Sequence, residues 1–201
     1  MANLNSPFGL KPARYLNGSA WNGQANSYYI PSSDGSQYAV GDYVKAAAVS
    51  DAFGTMGIQK AAGTDIGRGV IVGIYVSYPY SASIQGVNLD LTLQNIPATK
   101  SKAYYALVAD DPNLLFEIVD DGLNTLTATS VNKNVSITVT NPTAPQQMSA
   151  SVMATGTVNT TSTLPFRIMG LIQRDDNTFG QYAHWLVKMN ASDMVSGTAG
   201  T

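Results

Sequence analysis

The sequence predicts an all-β protein whose main part is a single jelly-roll-like β-sandwich. Three observations support this fold class: one apolar strand-like stretch, a series of further short alternating segments, and the lack of any long amphipathic helix. The apolar stretch, GRGVIVGIYVSY at residues 67–78, is rich in β-branched residues, which pack well on a pleated strand and lose rotamer freedom in a helix. Both of its faces are apolar, so we expect a second sheet or a neighbouring subunit to cover its outer side.

Further short strands are expected from residue 38 onward. Gly41 and Asp42 place a turn between two apolar pieces, and residues 87–93 alternate apolar and polar side chains as a half-buried strand does. About ten short strands with turns between them are typical of a sandwich, jelly roll or barrel. A short helix at residues 123–131 is the one helical candidate. The remaining predicted strands lie at residues 54–60, 102–109, 114–119, 135–139, 166–172 and 182–189.

The domain organisation predicted from the sequence has three parts. An extended N-terminal arm covers residues 1–37, the β-sandwich domain covers 38–190, and a flexible tail covers 191–201. The arm combines aromatic residues with prolines and glycines, which break regular structure. It either packs across its own domain or lies on a partner, because exposed aromatic side chains need a surface to cover them. On a partner, the interface residues would be Phe8, Leu10, Tyr15, Trp21, Tyr28 and Tyr29.

The composition limits the classes of partner. Of the 201 residues 44% are hydrophobic and only 12% are charged, whereas ordinary soluble domains carry about a quarter charged residues. Uncharged polar residues or a partner must therefore cover the surface. The net charge of -2 gives no reason to bind nucleic acid, which needs clustered Lys and Arg. The longest apolar run is too short for a membrane span, and the first residues show no signal peptide, so we expect no membrane partner.

The sequence predicts no catalytic residue, no metal site and no cofactor. The chain has no cysteine, and His184, its one histidine, lies in a predicted strand, where a structural role is expected. No G-x-S-x-G motif is present. Neighbouring carboxylates are expected to lie in surface turns; they are Asp110–Asp111, Asp120–Asp121 and Asp175–Asp176.

Five stretches of the chain resemble, in order, a family of tailed-phage virion proteins: the capsid cement, or decoration, proteins of podovirus-type heads. The likeness covers most of the chain and contains no catalytic motif. The stretches are ARYLNGSAWNGQANSYYIPSSD (13–34), YAVGDYVKAA (38–47), GRGVIVGI (67–74), AYYALVADDPNLLFEIVDDG (103–122) and LPFRIMGLIQRDDNTFGQYAHWLVKMN (164–190).

The resemblance implies a jelly-roll-like domain that binds the outer surface of an assembled phage head. It implies that copies, as homodimers, lie across joints between subunits of the major capsid protein, on virions made in the bacterial cytoplasm. A protein that binds joined subunits better than separated ones stabilises the joint by linkage, and many weak contacts add through avidity. The expected function is therefore structural.

Two other functions remain open. A virion carbohydrate-binding module or fibre protein would use converging exposed aromatic residues, and Tyr78, Tyr80, Tyr104 and Tyr105 could supply them. A jelly-roll glycosidase or lyase would need two buried carboxylates with perturbed pKa values.

Overall fold

The computed structural model describes residues 3–75, 93–197 and 199–200, and these residues form an all-β protein. The all-β prediction is confirmed. Apart from strands, the described residues contain two single-turn 3-10 helices, at Ala128–Ser130 and Thr155–Thr157. The strands are β1 Lys11–Tyr15, β2 Asn26–Ile30, β3 Tyr38–Ala39, β4 Tyr43–Ser50, β5 Met56–Lys60, β6 Gly69–Tyr75, β7 Asn95–Ile96, β8 Tyr104–Ala109, β9 Leu114–Val119, β10 Asn134–Val135, β11 Ile137–Thr138, β12 Val152–Met153, β13 Phe166–Leu171 and β14 His184–Met189.

Five of the strands close into a small barrel in the order β2-β5-β4-β6-β8. Its neighbouring strands are antiparallel except for β2 and β5, which are parallel. Barrel closure removes the unpaired sheet edges that would otherwise invite aggregation. The buried cluster that fills the barrel includes Tyr28, Ile30, Val44, Ile58, Ile71, Ile74, Ala106 and Val108.

Another five strands form an antiparallel sheet in the order β1-β9-β14-β13-β10. One face of this sheet packs on a second core that includes Phe116, Ile118, Phe166, Trp185 and Val187. Two short pairs, β3 with β7 and β11 with β12, complete the sheets of the described residues. The layers are consistent with a sandwich, but this barrel and open sheet do not confirm jelly-roll connectivity.

Strand β6 joins the two cores, as its two apolar faces predict. Val70 belongs to the core of the sheet, and Ile71 and Ile74 belong to the core of the barrel. A bulge between Ile71 and Gly73 shifts the register along the strand. Both faces are covered from within the chain, so β6 does not need a neighbouring subunit to cover it. The homodimer stays a prediction.

The predicted strands that follow residue 38 are largely present. Strand β9 has the predicted bounds 114–119, and β8, β13 and β14 lie inside their predicted ranges. The predicted strand at 135–139 is divided at Ser136, whose backbone N–H donates to the hydroxyl of Thr157. In the region of the candidate helix 123–131, the structure has only the turn Ala128–Ser130. Most of the predicted strand at 87–93 lies outside the described residues.

The N-terminal segment 1–37 differs from the extended arm of the prediction. Strand β1 pairs with β9, and β2 pairs with both β8 and β5, so this segment supplies one strand to each sheet. Leu10 is 2% exposed and Ile30 is fully buried. The segment packs on its own domain, which was one of the two interpretations. Its strands were missed because each is five residues long, and Pro12 and a bulge interrupt the alternation of β1.

The C-terminal residues also pack on the domain instead of forming a free tail. Ser192 forms a bridge with Gly67, and the backbone N–H of Asp193 donates to the carbonyl of Gly67 over 3.1 Å. Farther along, the N–H of Gly200 donates to the carbonyl of Thr160 over 3.1 Å. Backbone bonds to two separate parts of the chain hold this segment in place.

Within residues 3–75, 93–197 and 199–200, no helix is long and apolar enough to span a membrane.

Candidate partner-binding surface

Two of the six predicted interface residues are in the interior. Leu10 is buried in the core of the sheet, and Tyr28 is buried in the core of the barrel. Leu10 is 2% exposed and Tyr28 is 6% exposed, so little of either side chain reaches the surface of the folded chain. For these two residues the structure contradicts the prediction of a contact with a partner, because the strands of segment 1–37 turn them inward.

The other four predicted interface residues do not share one surface. Tyr15 and Trp21 are partly buried against the sheet core. Tyr29 lies on the outside of the barrel, with its ring centroid 5.7 Å from that of Tyr105. Phe8 stacks on His184 at 5.7 Å. These aromatic residues are divided between several contacts, so they do not form the single gripping element that the sequence suggested.

A polar pocket lies where the barrel, the sheet and the C-terminal segment meet. It has a volume of about 820 Å³ and is open to solvent. Ligand pockets commonly have this size and a few convergent polar groups. The pocket is lined by Tyr15, Gly23, Gln24, Ala25, Asn26, Tyr28, Arg68, Asp110, Asp111, Pro112 and Met194.

The carboxylate of Asp110 organises the floor of this pocket. It accepts a hydrogen bond of 2.5 Å from the Tyr28 hydroxyl and another of 3.0 Å from the side-chain amide of Asn26. Burial raises the pKa of Tyr28, and its hydrogen bond to Asp110 raises it further, so the hydroxyl stays protonated and donates. The guanidinium of Arg68 lies 5.9 Å from the centre of the Tyr28 ring, within reach of a cation–π contact.

Arg68 connects the pocket to the neighbouring surface. Its Nε lies 2.9 Å from Oδ2 of Asp193, and its Nη2 lies 3.3 Å from the sulfur of Met56. Burial raises the pKa of Asp193, and the positive charge of Arg68 counteracts part of this rise. One side chain therefore holds β5 and the C-terminal segment side by side.

The segments that Arg68 connects expose large apolar side chains. The turn between β4 and β5 exposes Phe53 by 67%, and Ile66 is 56% exposed. The contacts of Arg68 with Met56 and Asp193 make this surface continuous with the C-terminal segment. We call it the hairpin–tail patch; its members are Val49, Phe53, Met56, Ile66, Met194 and Val195.

Sequence reasoning missed this patch. A local signal exists at Phe53, which stands in a turn between Asp51 and Gly54, where an apolar residue has no core to enter. The rest of the patch comes from three separate segments, and no local pattern shows that they meet. On a chain with only 12% charged residues, such a surface is a candidate contact for another protein.

His184 lies in β14, as predicted, within a compact polar cluster. Its Nδ1 is 2.8 Å from Oε1 of Glu117, and Arg174 donates to the same oxygen over 2.9 Å. The backbone N–H of His184 donates to Asn177, and Phe8 covers the ring. These contacts fit the structural role predicted for His184, and the prediction of no catalytic role stays a prediction.

Asp175–Asp176 lies in an exposed turn, as predicted, whereas each of the other two aspartate pairs places its first carboxylate in the interior. Asp110 is buried in the pocket floor, and Asp120 is fully buried. Both are held by hydrogen bonds from neighbouring side chains or backbone N–H groups. In the part of the chain that the structure describes, no group of three or more His, Asp or Glu residues is arranged to hold a metal ion.

The tyrosines suggested for carbohydrate binding do not form an open platform where they are described. Tyr105 is 7% exposed and stacks on Tyr75 at 5.5 Å. Tyr104 packs against the barrel core. Tyr78 and Tyr80 lie outside the described residues.

Comparison with known proteins identifies no relative: no protein-family model, curated protein or solved structure matches the chain. The functional argument therefore depends on the residues and their geometry.

Proposed function

We propose that the chain is a structural virion protein, a cement protein that binds the outer surface of a tailed-phage head across joints between major capsid protein subunits. The resemblance in sequence supports this proposal. Its five stretches include strands of both sheets, among them β2, β6, β8, β9 and β14. The stretches thus follow the framework of the fold, as expected if the likeness reflects a shared structural role.

The observation that carries the proposal is the hairpin–tail patch. Burying a large apolar side chain contributes about 1.5 to 3 kcal/mol. Phe53, Met56 and Met194 are 67%, 44% and 49% exposed, so covering what remains of them would contribute on the order of 3 to 4 kcal/mol, close to the lower end of the range of about 4 to 15 kcal/mol that association costs in lost freedom. One copy would bind weakly by this contact alone, and copies that bind at repeated joints would gain affinity through avidity.

Stabilisation of the shell follows from linkage. A protein that binds the joined subunits and not the separated ones stabilises the joint by about 2.7 kcal/mol when its free concentration is 100 times its Kd. We include homodimer formation in the proposal, since closed two-fold dimers are the commonest symmetric oligomers and the surface is poor in charge. Sedimentation of the free protein over a range of concentrations tests the dimer.

The test of the cement function uses undecorated, expanded capsids of a podovirus-type phage. Wild type should bind them saturably and raise the temperature at which they rupture. The double variant Phe53→Ser, Met194→Ser should bind at least about 30-fold more weakly, which corresponds to about 2 kcal/mol. Leu123→Ser is the matched control, because Leu123 is 78% exposed and is not part of the patch.

Three results separate the possible failures of this proposal. Wild type that does not bind capsids contradicts the cement function. A double variant that binds as tightly as wild type contradicts the role of the patch. Equal losses of capsid affinity in the double variant and in Leu123→Ser would show that the effect is not specific to the patch.

The polar pocket favours a second candidate, a virion carbohydrate-binding module. Asn26, Gln24 and Arg68 present hydrogen-bonding groups at a pocket of about 820 Å³ beside the Tyr15 ring. Such alternating donors and acceptors suit the hydroxyl groups of a sugar. Glycan-array binding that is lost in Asn26→Ala would support this candidate, and an array without signal would count against it.

A further inference from the structure

The outer face of the five-stranded sheet carries a row of positive charge. Arg14 on β1 lies opposite Leu115 on β9, Leu115 lies opposite Lys188 on β14, and Lys188 lies opposite Arg167 on β13. Directly paired residues point to the same side of a sheet. Their neighbours Phe116 and Val187 point into the core, so this row points outward. We call Arg14, Lys188 and Arg167 the basic row.

Other charges on this face are mostly positive as well. Lys11 is paired with Glu117 in the next row, and Arg174 reaches the same glutamate from the loop after β13. Asp176 lies 3.3 Å from Nε of Arg174, so among the described residues the face carries five of the chain's 11 cations and two of its 13 acidic residues. The other 6 cations and 11 acidic residues give the rest of the chain a formal charge of -5, although the whole carries only -2. The charge of the protein is therefore strongly divided.

This arrangement has a structural cost. Like charges directly opposite on neighbouring strands are destabilising, and Arg167 and Lys188 are such a pair. Burial lowers the pKa of Lys188, and the charge of Arg167 lowers it further, while Asp111 counteracts part of the effect. The cost would disappear if either position held an uncharged polar residue.

The exposed cations of the edge strand leave positive charge at this face. Glu117 is already bonded to His184 and Arg174, and Asp176 pairs with Arg174 as well. Arg167 donates to the side-chain oxygen of Asn134 and to the carbonyl of Ala199, which fix its guanidinium at the end of the row. Arg14 and Lys11 are exposed at the edge strand. An approaching carboxylate would therefore gain attraction at this face.

We propose that this face binds an acidic surface of the capsid protein that the chain decorates. The inference rests on the proposed function and names the chemistry of the partner. A guanidinium such as that of Arg14 binds a carboxylate through two parallel hydrogen bonds. Complementary charge of this kind speeds association and fixes orientation more than it adds affinity. The hairpin–tail patch supplies apolar contact, and the basic row orients the protein on the shell.

An acidic protein surface fits this face better than nucleic acid does. A polyanion must approach the whole molecule, and the remaining charge of -5 would repel it. Strong binding to duplex nucleic acid also needs more contacts to phosphate groups than a row of three cations can make. A capsid surface presents localised carboxylates and brings no extended phosphate chain near the acidic regions.

The test compares Arg14→Glu and Lys188→Gln with Lys102→Glu on undecorated capsids at 50 mM and 300 mM salt. Arg14 and Lys102 are both exposed and have no ion pair with the described residues, so the two glutamate variants change charge equally at matched positions. Arg14→Glu should bind at least about 10-fold more weakly than wild type at low salt, and Lys102→Glu should stay within about two-fold. The difference in capsid affinity between Arg14→Glu and wild type should be smaller at 300 mM salt, because salt screens exposed charges.

Lys188→Gln keeps a long polar side chain and removes the like-charge pair. We expect it to melt at the same or a higher temperature than wild type and yet to bind capsids more weakly. A merely structural role for Lys188 would not give this combination.

The outcomes separate this inference from the function on which it rests. Wild type that binds no capsids overturns both. Wild type whose binding is unaffected by salt and by Arg14→Glu overturns the basic row and leaves the cement function standing. A third outcome would be that wild type binds duplex DNA at 50 mM salt and that Arg14→Glu loses DNA binding but keeps capsid binding. That outcome would identify nucleic acid as the partner and overturn the acidic protein surface.

Discussion

Replacing Asp120 tests how the C-terminal strand is fixed to the rest of the sheet. The Asp120 carboxylate follows β9, is fully buried and accepts four hydrogen bonds. Its Oδ1 accepts from the backbone N–H groups of Gly122 and Tyr182 over 2.9 and 2.7 Å. Its Oδ2 accepts from the N–H of Ala183 over 3.2 Å and from Nε1 of Trp185 over 3.0 Å. One side chain thus satisfies the donors at the entry to β14.

The cost of each substitution follows from the number of donors that lose their acceptor. In Asp120→Ala all four are left unpaired in the interior, at about 1 to 3 kcal/mol each, so the low end gives about 4 kcal/mol. In Asp120→Asn one oxygen remains, and two of the four bonds are lost. Burial raises the pKa of Asp120 although the hydrogen bonds oppose this, so removal of the buried charge offsets part of the loss. We expect about 1 to 2 kcal/mol for Asp120→Asn.

Urea unfolding followed by tryptophan fluorescence measures these values. A Trp21→Phe background leaves Trp185, whose indole is bonded to Asp120, as the one reporter. Asp175→Asn is the control, since Asp175 is exposed and such surface changes stay within about 0.5 kcal/mol. Typical total stabilities of 5 to 15 kcal/mol leave the asparagine variant folded. The reasoning is refuted if Asp120→Asn and Asp120→Ala both unfold at the same urea concentration as the Asp175→Asn control.

Two further predictions concern the packing of a glycine and an ion pair. A Cβ at Gly63 would lie 1.6 Å from the backbone oxygen of Ile137, so Gly63→Ala should lower the free energy of unfolding by at least about 1 to 3 kcal/mol. Gly35→Ala, with open space at that position, is its control, and equal melting temperatures would contradict this prediction. A hydrogen bond from Lys45 lowers the pKa of Asp65, so the stability it contributes is present above the ordinary aspartate pKa and is lost as the pH falls through the lowered value. Lys45→Met should move the NMR titration midpoint of the Asp65 carboxyl upward, and an unmoved midpoint would contradict the assignment.

Short apolar strands bounded by clear turn residues could be predicted from the sequence. Strand β9 was predicted with its observed bounds, because the turn Asp110–Asn113 ends the preceding strand and each second side chain after it is apolar. The two apolar faces of β6 correctly indicated cover on both sides. What they could not indicate is that the cover comes from two cores of the same chain, since a pattern along one strand does not name the strands beside it.

The strands of residues 1–37 were missed for a related reason. Strand β2 pairs Asn26 with Val108 and Ile30 with Tyr104, across more than 70 residues of sequence. A segment of five residues between turns has too little alternation to predict such a pairing. Its aromatic side chains therefore suggested contact with a partner protein. The strand partners lie within the chain, and Tyr28 is buried in the barrel that β2 helps to close.

The basic row depends on a detail that no sequence pattern shows. Arg14, Arg167 and Lys188 are neighbours only through the register of β1, β9, β14 and β13. In β1 a bulge lies between Pro12 and Arg14, and it shifts the pairing by one residue. Without that bulge, simple alternation from Pro12 would turn Arg14 toward the core and the following tyrosine toward solvent. The bulge therefore turns the tyrosine toward the core and adds the arginine to the outward row. The local irregularity that hid the strand from sequence analysis thus also creates part of the proposed binding face.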